Sequence, residues 1–187
     1  LSQYDESSNA PVDSTFGAGR VSMQGLALND NFFGTDVFVS ATGTHAVSTE
    51  IPSTDVYAGG GFVIKENSGT RNVSSIVINE SGTVDGQNGL ANIKLYYDQD
   101  TTAPYDCTGE SYDPGVDAQF GATDTNGFSG ADGSSSFSGS VEITTTKAMC
   151  VYVVYDVTSA ASDGQTALFS IDNPSTEVSL TGTPTVG

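Results

Sequence analysis

The segment Ala148 to Val157, AMCVYVVYDV, constrains the fold of this chain more than any other stretch. Read with a period of two, Met149, Val151, Val153, Tyr155 and Val157 fall on one face, and Cys150, Tyr152 and Val154 on the other. Both faces are apolar and rich in β-branched and aromatic residues, so the segment predicts a central strand covered on both sides. A sheet containing such a strand needs material packed above and below it.

The same period recurs along the chain. Short alternating stretches broken by Gly, Asn, Asp and Ser predict strands near 19–28, 36–41, 44–51, 61–66, 73–79 and 91–97. Others follow near 135–144, 148–157, 166–172, 176–181 and 183–186. No window of a dozen residues sustains the i, i+3, i+4 spacing of an amphipathic helix, so helix is expected for a turn or two at most. So many short strands exceed a single flat sheet and predict an all-β fold, a two-sheet β-sandwich of jelly-roll or immunoglobulin-like topology. The 187 residues suit one such domain over 16–187. An extended polar arm, LSQYDESSNAPVDST, precedes it at 1–15 and shows neither period. Gly25 and Gly139 interrupt strand-like stretches and predict bulges, where a sheet bends and a Cβ is best absent.

Alternation lapses between 98 and 134, where Asp, Gly, Thr and Pro are dense, and this region reads as a long acidic loop. Cys107 lies in it and Cys150 lies in the central strand. Two cysteines allow one pairing, and a disulfide would tie the loop to the core. Closing a loop of about 43 residues stabilises a fold by on the order of 4 kcal/mol. Two free thiols, one buried and one exposed, are the alternative. The paired C-x-x-C spacing of structural zinc and of redox motifs is absent.

Five basic residues stand against 23 acidic ones, a formal charge of −18 that repels phosphates and anionic lipid headgroups. Nucleic acid is thereby excluded as a partner, and without a run of about 18 apolar residues no membrane insertion is expected. Such a surface favours hard cations. Calcium is the expected ligand if one binds, with Asp98 and Asp100 in YYDQDTTAP and Asp124 and Asn126 in ATDTNGFSG as candidate donors. Neither pair meets EF-hand spacing, and plain solvated acidic loops are the competing reading. Asn72 and Asn79 head N-x-S sequons and are candidate glycosylation sites. Arg20, Lys65, Arg71 and Lys94 read as edge charges that discourage stray strand pairing.

No catalytic signature is present, and His45 sits alone in ATGTHAVS, so no enzyme is expected. A disulfide together with Leu1 as first residue fits a secreted chain whose leader has been removed.

The stretch NVSSIVINESGTVDGQNGLANIKLYYD, with the later GSVEITTTKAMCVYVVYDVTSAASDGQTALFSIDNPSTEVSL, resembles β-sandwich domains of prokaryotic surface and filament proteins. The resemblance rests on an N-x-K-L-Y-x-D strand and on a Val- and Tyr-rich strand leading to a D-G-Q-T turn, and it covers Asn72 to Leu180. Archaeal bundling pilins, camelysin-type biofilm fibres and cannula subunits are the similar functional group. It implies a structural subunit of an extracellular filament, fibre or sheath, in which copies of the chain join by β-strand donation. The alternative is a monomeric cell-surface adhesive or carbohydrate-binding module whose 98–134 loop meets glycans.

Overall fold

The computed structural model describes residues 37–44 and 49–182. Its strands are β1 (Val37–Thr42), β2 (Ser53–Tyr57), β3 (Gly61–Glu66), β4 (Thr70–Glu80) and β5 (Leu90–Asp100). They continue with β6 (Ala118–Asp124), β7 (Ser134–Thr144), β8 (Ala148–Val157), β9 (Phe169–Ser170) and β10 (Val178–Thr181); a single turn of helix, α1 (Pro174–Glu177), precedes β10. The 1–15 arm, the strands expected at 19–28 and 183–186, Arg20, Gly25 and His45 lie outside the described residues.

Two sheets form. The first has the order β1-β3-β8-β5-β6 with β2 also on β8, and the second has the order β10-β4-β7 with β9 also on β4. β2 and β3 run along the same side of β8, pairing Tyr57 with Val154 and Phe62 with Val151. They are one line broken at Gly59 and Gly60, whose φ values of 71° and 80° suit glycine. β9 and β10 likewise share one side of β4, separated by α1.

The central strand is buried on both faces, as its pattern predicts. Tyr155 meets Phe169 of the second sheet at 5.0 Å between ring centroids, so the face carrying Met149, Val151 and Val153 looks into the sandwich. There it joins Ile76, Ile78, Ile93, Leu95, Phe137 and Ile143, each with 1 % exposure or less. The opposite face carries Cys150 and Tyr152, which pack with Val63, Cys107 and Ala148 into a second, smaller core.

Gly139 sits at a bulge. Val73 pairs with Val141 and Ser75 with Ser138, so Gly139 and Ser140 together stand opposite Ser74. A Cβ on Gly139 would come within 2.6 Å of the Phe120 ring, which lies across β7 from β6. This contact, with a hydrogen bond from Ser135 Oγ to Asp124 Oδ2 (2.6 Å), joins the sheets along the β6–β7 side.

Some sequence expectations need correction. The 98–134 region is not one loop, because β5 continues to Asp100 and β6 occupies Ala118–Asp124. β6 is an edge strand in which only Phe120 is fully buried, so its sequence carries no clear alternation. Of the strand expected at 44–51, residues 44 and 49–51 lie outside any strand and 45–48 outside the described residues, and β2 begins at Ser53. The 166–172 strand shrinks to two residues, and Pro174 opens a helical turn where 176–181 was expected to be all strand.

Lys65, Arg71 and Lys94 do not guard edges either. They sit on the interior strands β3, β4 and β5, where Lys65 donates to the Pro104 carbonyl (2.7 Å), Arg71 Nε lies 3.2 Å from buried Glu66, and Lys94 pairs with Asp55. Asp156 of β8 reaches both neighbouring strands, accepting the Asp55 N–H (2.8 Å) and the Asn92 side-chain amide (2.7 Å). Asp55 and Asn92 both have positive φ, 53° and 48°, a backbone conformation these bonds help to hold.

Candidate functional site

Two regions have the concentration of features expected of a functional surface: the loop after β5, and a cleft on the side of the sandwich away from β6 and β7.

The loop is tied down three ways. Cys107 and Cys150 form a disulfide with a Cα–Cα distance of 5.8 Å. Asp100, 5 % exposed at the end of β5, accepts the Thr102 N–H on Oδ1 (2.8 Å) and the Cys107 N–H on Oδ2 (3.0 Å). The Lys65 ammonium lies 5.5 Å over the Tyr105 ring while it holds the Pro104 carbonyl. Tyr105 and Cys107 both adopt positive φ (59° and 60°), a cost of about 1–2 kcal/mol per residue that these ties offset.

Beneath the loop the tyrosines turn on one another. Tyr112 meets Tyr57 at 5.5 Å, Tyr96 at 4.9 Å and Tyr152 at 6.4 Å between ring centroids. Burial, with Tyr96 alongside, pushes the Tyr112 hydroxyl up to about 12. Burial also raises Tyr152, and the nearby carboxylates of Asp117 and Asp98 add to the effect. The Tyr152 hydroxyl is buried without a hydrogen-bond partner. Asp117 is raised in turn, first by burial and then by Asp98 and Asp113. Net negative charge therefore collects over an apolar, aromatic floor.

The four candidate calcium donors are not gathered by the fold. Asp98 is exposed and accepts the N–H of Gln99 (2.7 Å), whereas both oxygens of Asp100 are occupied by backbone N–H groups. Asp124 accepts from the Asn126 N–H (3.1 Å) and from Ser135, so this pair shapes the turn after β6. Asp124 stands opposite Ile93 and Asp98 opposite Cys150, five residues apart along β5, or about 17 Å. Among the described residues, no three His, Cys, Asp or Glu side chains converge on one point.

The sequon residues lie on β4, the middle strand of the second sheet. Asn72 pairs with Glu142 and Thr181, and the Asn79 amide donates to Glu177 Oε1 (2.8 Å). A glycan on Asn79 would require that bond to open.

The cleft has a volume of about 210 Å³. Val39 and Ala41 of β1, Phe62 of β3, and Phe169, Ile171 and Pro174 line it. Among the described residues β1 ends the first sheet and β9 lies on the outer side of β4 in the second, so the cleft runs between these two margins. Phe169 is fixed in this wall by Phe128, stacked at 5.8 Å, and by Tyr155. Sequence reasoning missed the cleft because its residues come from three separate stretches, 39–41, 62 and 169–174, none of them unusual alone.

Compared with family models, curated protein sequences and solved structures, the chain gives no match. Among the described residues no helix is long and apolar enough to cross a membrane.

Proposed function

We propose that this domain is a structural subunit of an extracellular filament, fibre or sheath, in which a segment of one copy docks as a strand along the β1–β9 cleft of the next. The observation that carries the reading is the asymmetry of the sandwich. Phe120 and Ser135 join the sheets on the β6–β7 side, while the opposite side presents an apolar cleft beside the margin strand β1. Among the described residues β1 ends its sheet, and a strand added beside an end strand pairs its backbone there while an apolar groove takes its alternate side chains.

The occupant we assign is the amino-terminal stretch of a second copy. Thirty-six residues precede β1, which forms one wall of the cleft, and within them RVSMQGLAL at 20–28 has the period of a strand. The disulfide accords with an oxidising, extracellular setting.

Removing residues 1–28 and, separately, substituting Ile171→Glu test this. Each variant is expected to remain folded but monomeric in size-exclusion chromatography and negative-stain microscopy, while the parent forms filaments. Filaments undiminished in both variants would sink the reading. So would a parent chain that stays monomeric at all concentrations.

A further inference from the structure

Glu80 ends β4 with a side chain only 1 % exposed. Its Oε1 accepts the N–H groups of Gly82 (2.6 Å) and Leu168 (3.3 Å), whereas its Oε2 is buried without a hydrogen-bond partner. Three segments meet at this carboxyl. The Glu80 N–H donates to the Gly133 carbonyl, the Gly86 N–H to Ala131, and the Ser81 N–H to Leu168. A methyl group on Gly86 would stand 3.0 Å from Oε2, 3.0 Å from the Ala131 oxygen and 3.3 Å from the Gly130 oxygen. Oε2 thus faces the same point as two backbone carbonyls.

An ionised Oε2 has no hydrogen-bond donor there, and burying it so is costly. A protonated Oε2 becomes a donor in the neighbourhood of the Ala131 and Gly130 carbonyls. The charged groups that act on Glu80 are Asp132, from the segment before β7, and Asp85, from the turn after β4, and both are negative. The cations of the described residues are engaged elsewhere: Lys65 at Pro104, Arg71 at Glu66, Lys94 at Asp55 and Lys147 at Glu142.

Building on the assembly reading above, we propose that Glu80 is a proton-operated latch on the cleft wall. As the neutral acid it holds the 81–89, 130–133 and 166–168 segments together; on losing its proton it pushes them apart. The link to the cleft is direct, because Glu80 pairs with Phe169 in the β4–β9 ladder and its Oε1 holds the N–H of Leu168. Ionisation therefore loosens the wall that Phe169 and Ile171 form, and mild acid locks it.

Burial raises the Glu80 carboxyl above its ordinary value of 4.5; the Gly82 and Leu168 N–H groups oppose this, and Asp132 and Asp85 add to the rise. With the folded-state value above the unfolded one, the stabilisation is complete below about pH 4.5 and is lost as pH rises through the folded-state value.

Two measurements on the full chain test the latch. The ¹³Cδ resonance of Glu80 should titrate with a midpoint above 4.5. Glu80→Gln, which keeps a donor in place of the acid proton, should melt higher than the parent at about pH 7.5 and equally at about pH 4.5. Amide exchange at 168–171 should slow in that variant and lose its pH dependence. A midpoint at or below 4.5, or a variant no more stable than the parent at neutral pH, overturns the proposal. Exchange is read on the monomer. A pH-dependent wall in a chain that never polymerises would sink the assembly reading alone, and polymers with a pH-independent wall would sink the latch alone.

Discussion

The two faces of β8 are equally buried and are covered by different chemistry. Toward β4 and β7, Val151, Val153, Ile76, Ile78 and Phe137 form an apolar core made by the sheets themselves. Away from them, Cys150 and Tyr152 are covered by a loop that forms few ladder bonds, and its cover depends on a disulfide, the Asp100 carboxylate and a set of tyrosine rings. Area removed from water suffices where strands already bring side chains together. Where an acidic loop must be held over a sheet, covalent and polar ties take over, since mutual repulsion works against the cover.

Phe137→Ala in the inner core is expected to cost about 3–5 kcal/mol in urea denaturation, and the near-ultraviolet tyrosine signal of the outer core should vanish in the same transition. An outer signal that outlasted the sheets would show that the loop stands without them. Replacing both cysteines by serine should cost about 2–4 kcal/mol, with amide exchange at 101–117 rising well ahead of β4 and β7. If exchange rose equally in both regions, the two cores would be one cooperative unit.

Asp100→Ala sharpens the point, because it leaves the disulfide in place while removing the acceptor for Thr102 and Cys107. A loss of about 1–3 kcal/mol is expected, again confined at first to the loop in exchange measurements. Alkaline titration gives the smallest and most local effect. Tyrosines that titrate ordinarily ionise near 10, whereas Tyr112 is raised to about 12, so its contribution is full below 10 and lost as pH rises through the folded-state value. The tyrosine absorbance titration should therefore show a delayed component that moves toward 10 when the disulfide is reduced. A curve unchanged by reduction would mean that the rings pack without the staple.

Much of this architecture is legible in the sequence. AMCVYVVYDV announced a strand buried on both faces because side-chain period and composition are local properties, and the disulfide followed from there being two cysteines and one pairing. Gly139 could be read as a bulge for the same local reason. β6 could not, since an edge strand with one buried aromatic has no alternation to detect.

The acids show the limit most clearly. Asp98 and Asp100 look alike in sequence, yet one is exposed and the other uses both oxygens to shape a loop. Glu80 is one of 23 acids in the sequence, and it is buried at the meeting of three segments. Strand identity comes from neighbours one and two residues away, so the chain alone determined it. The cleft, the tyrosine floor and the surroundings of Glu80 arise from which strand margins and loops meet across sheets, and only the tertiary structure decides that.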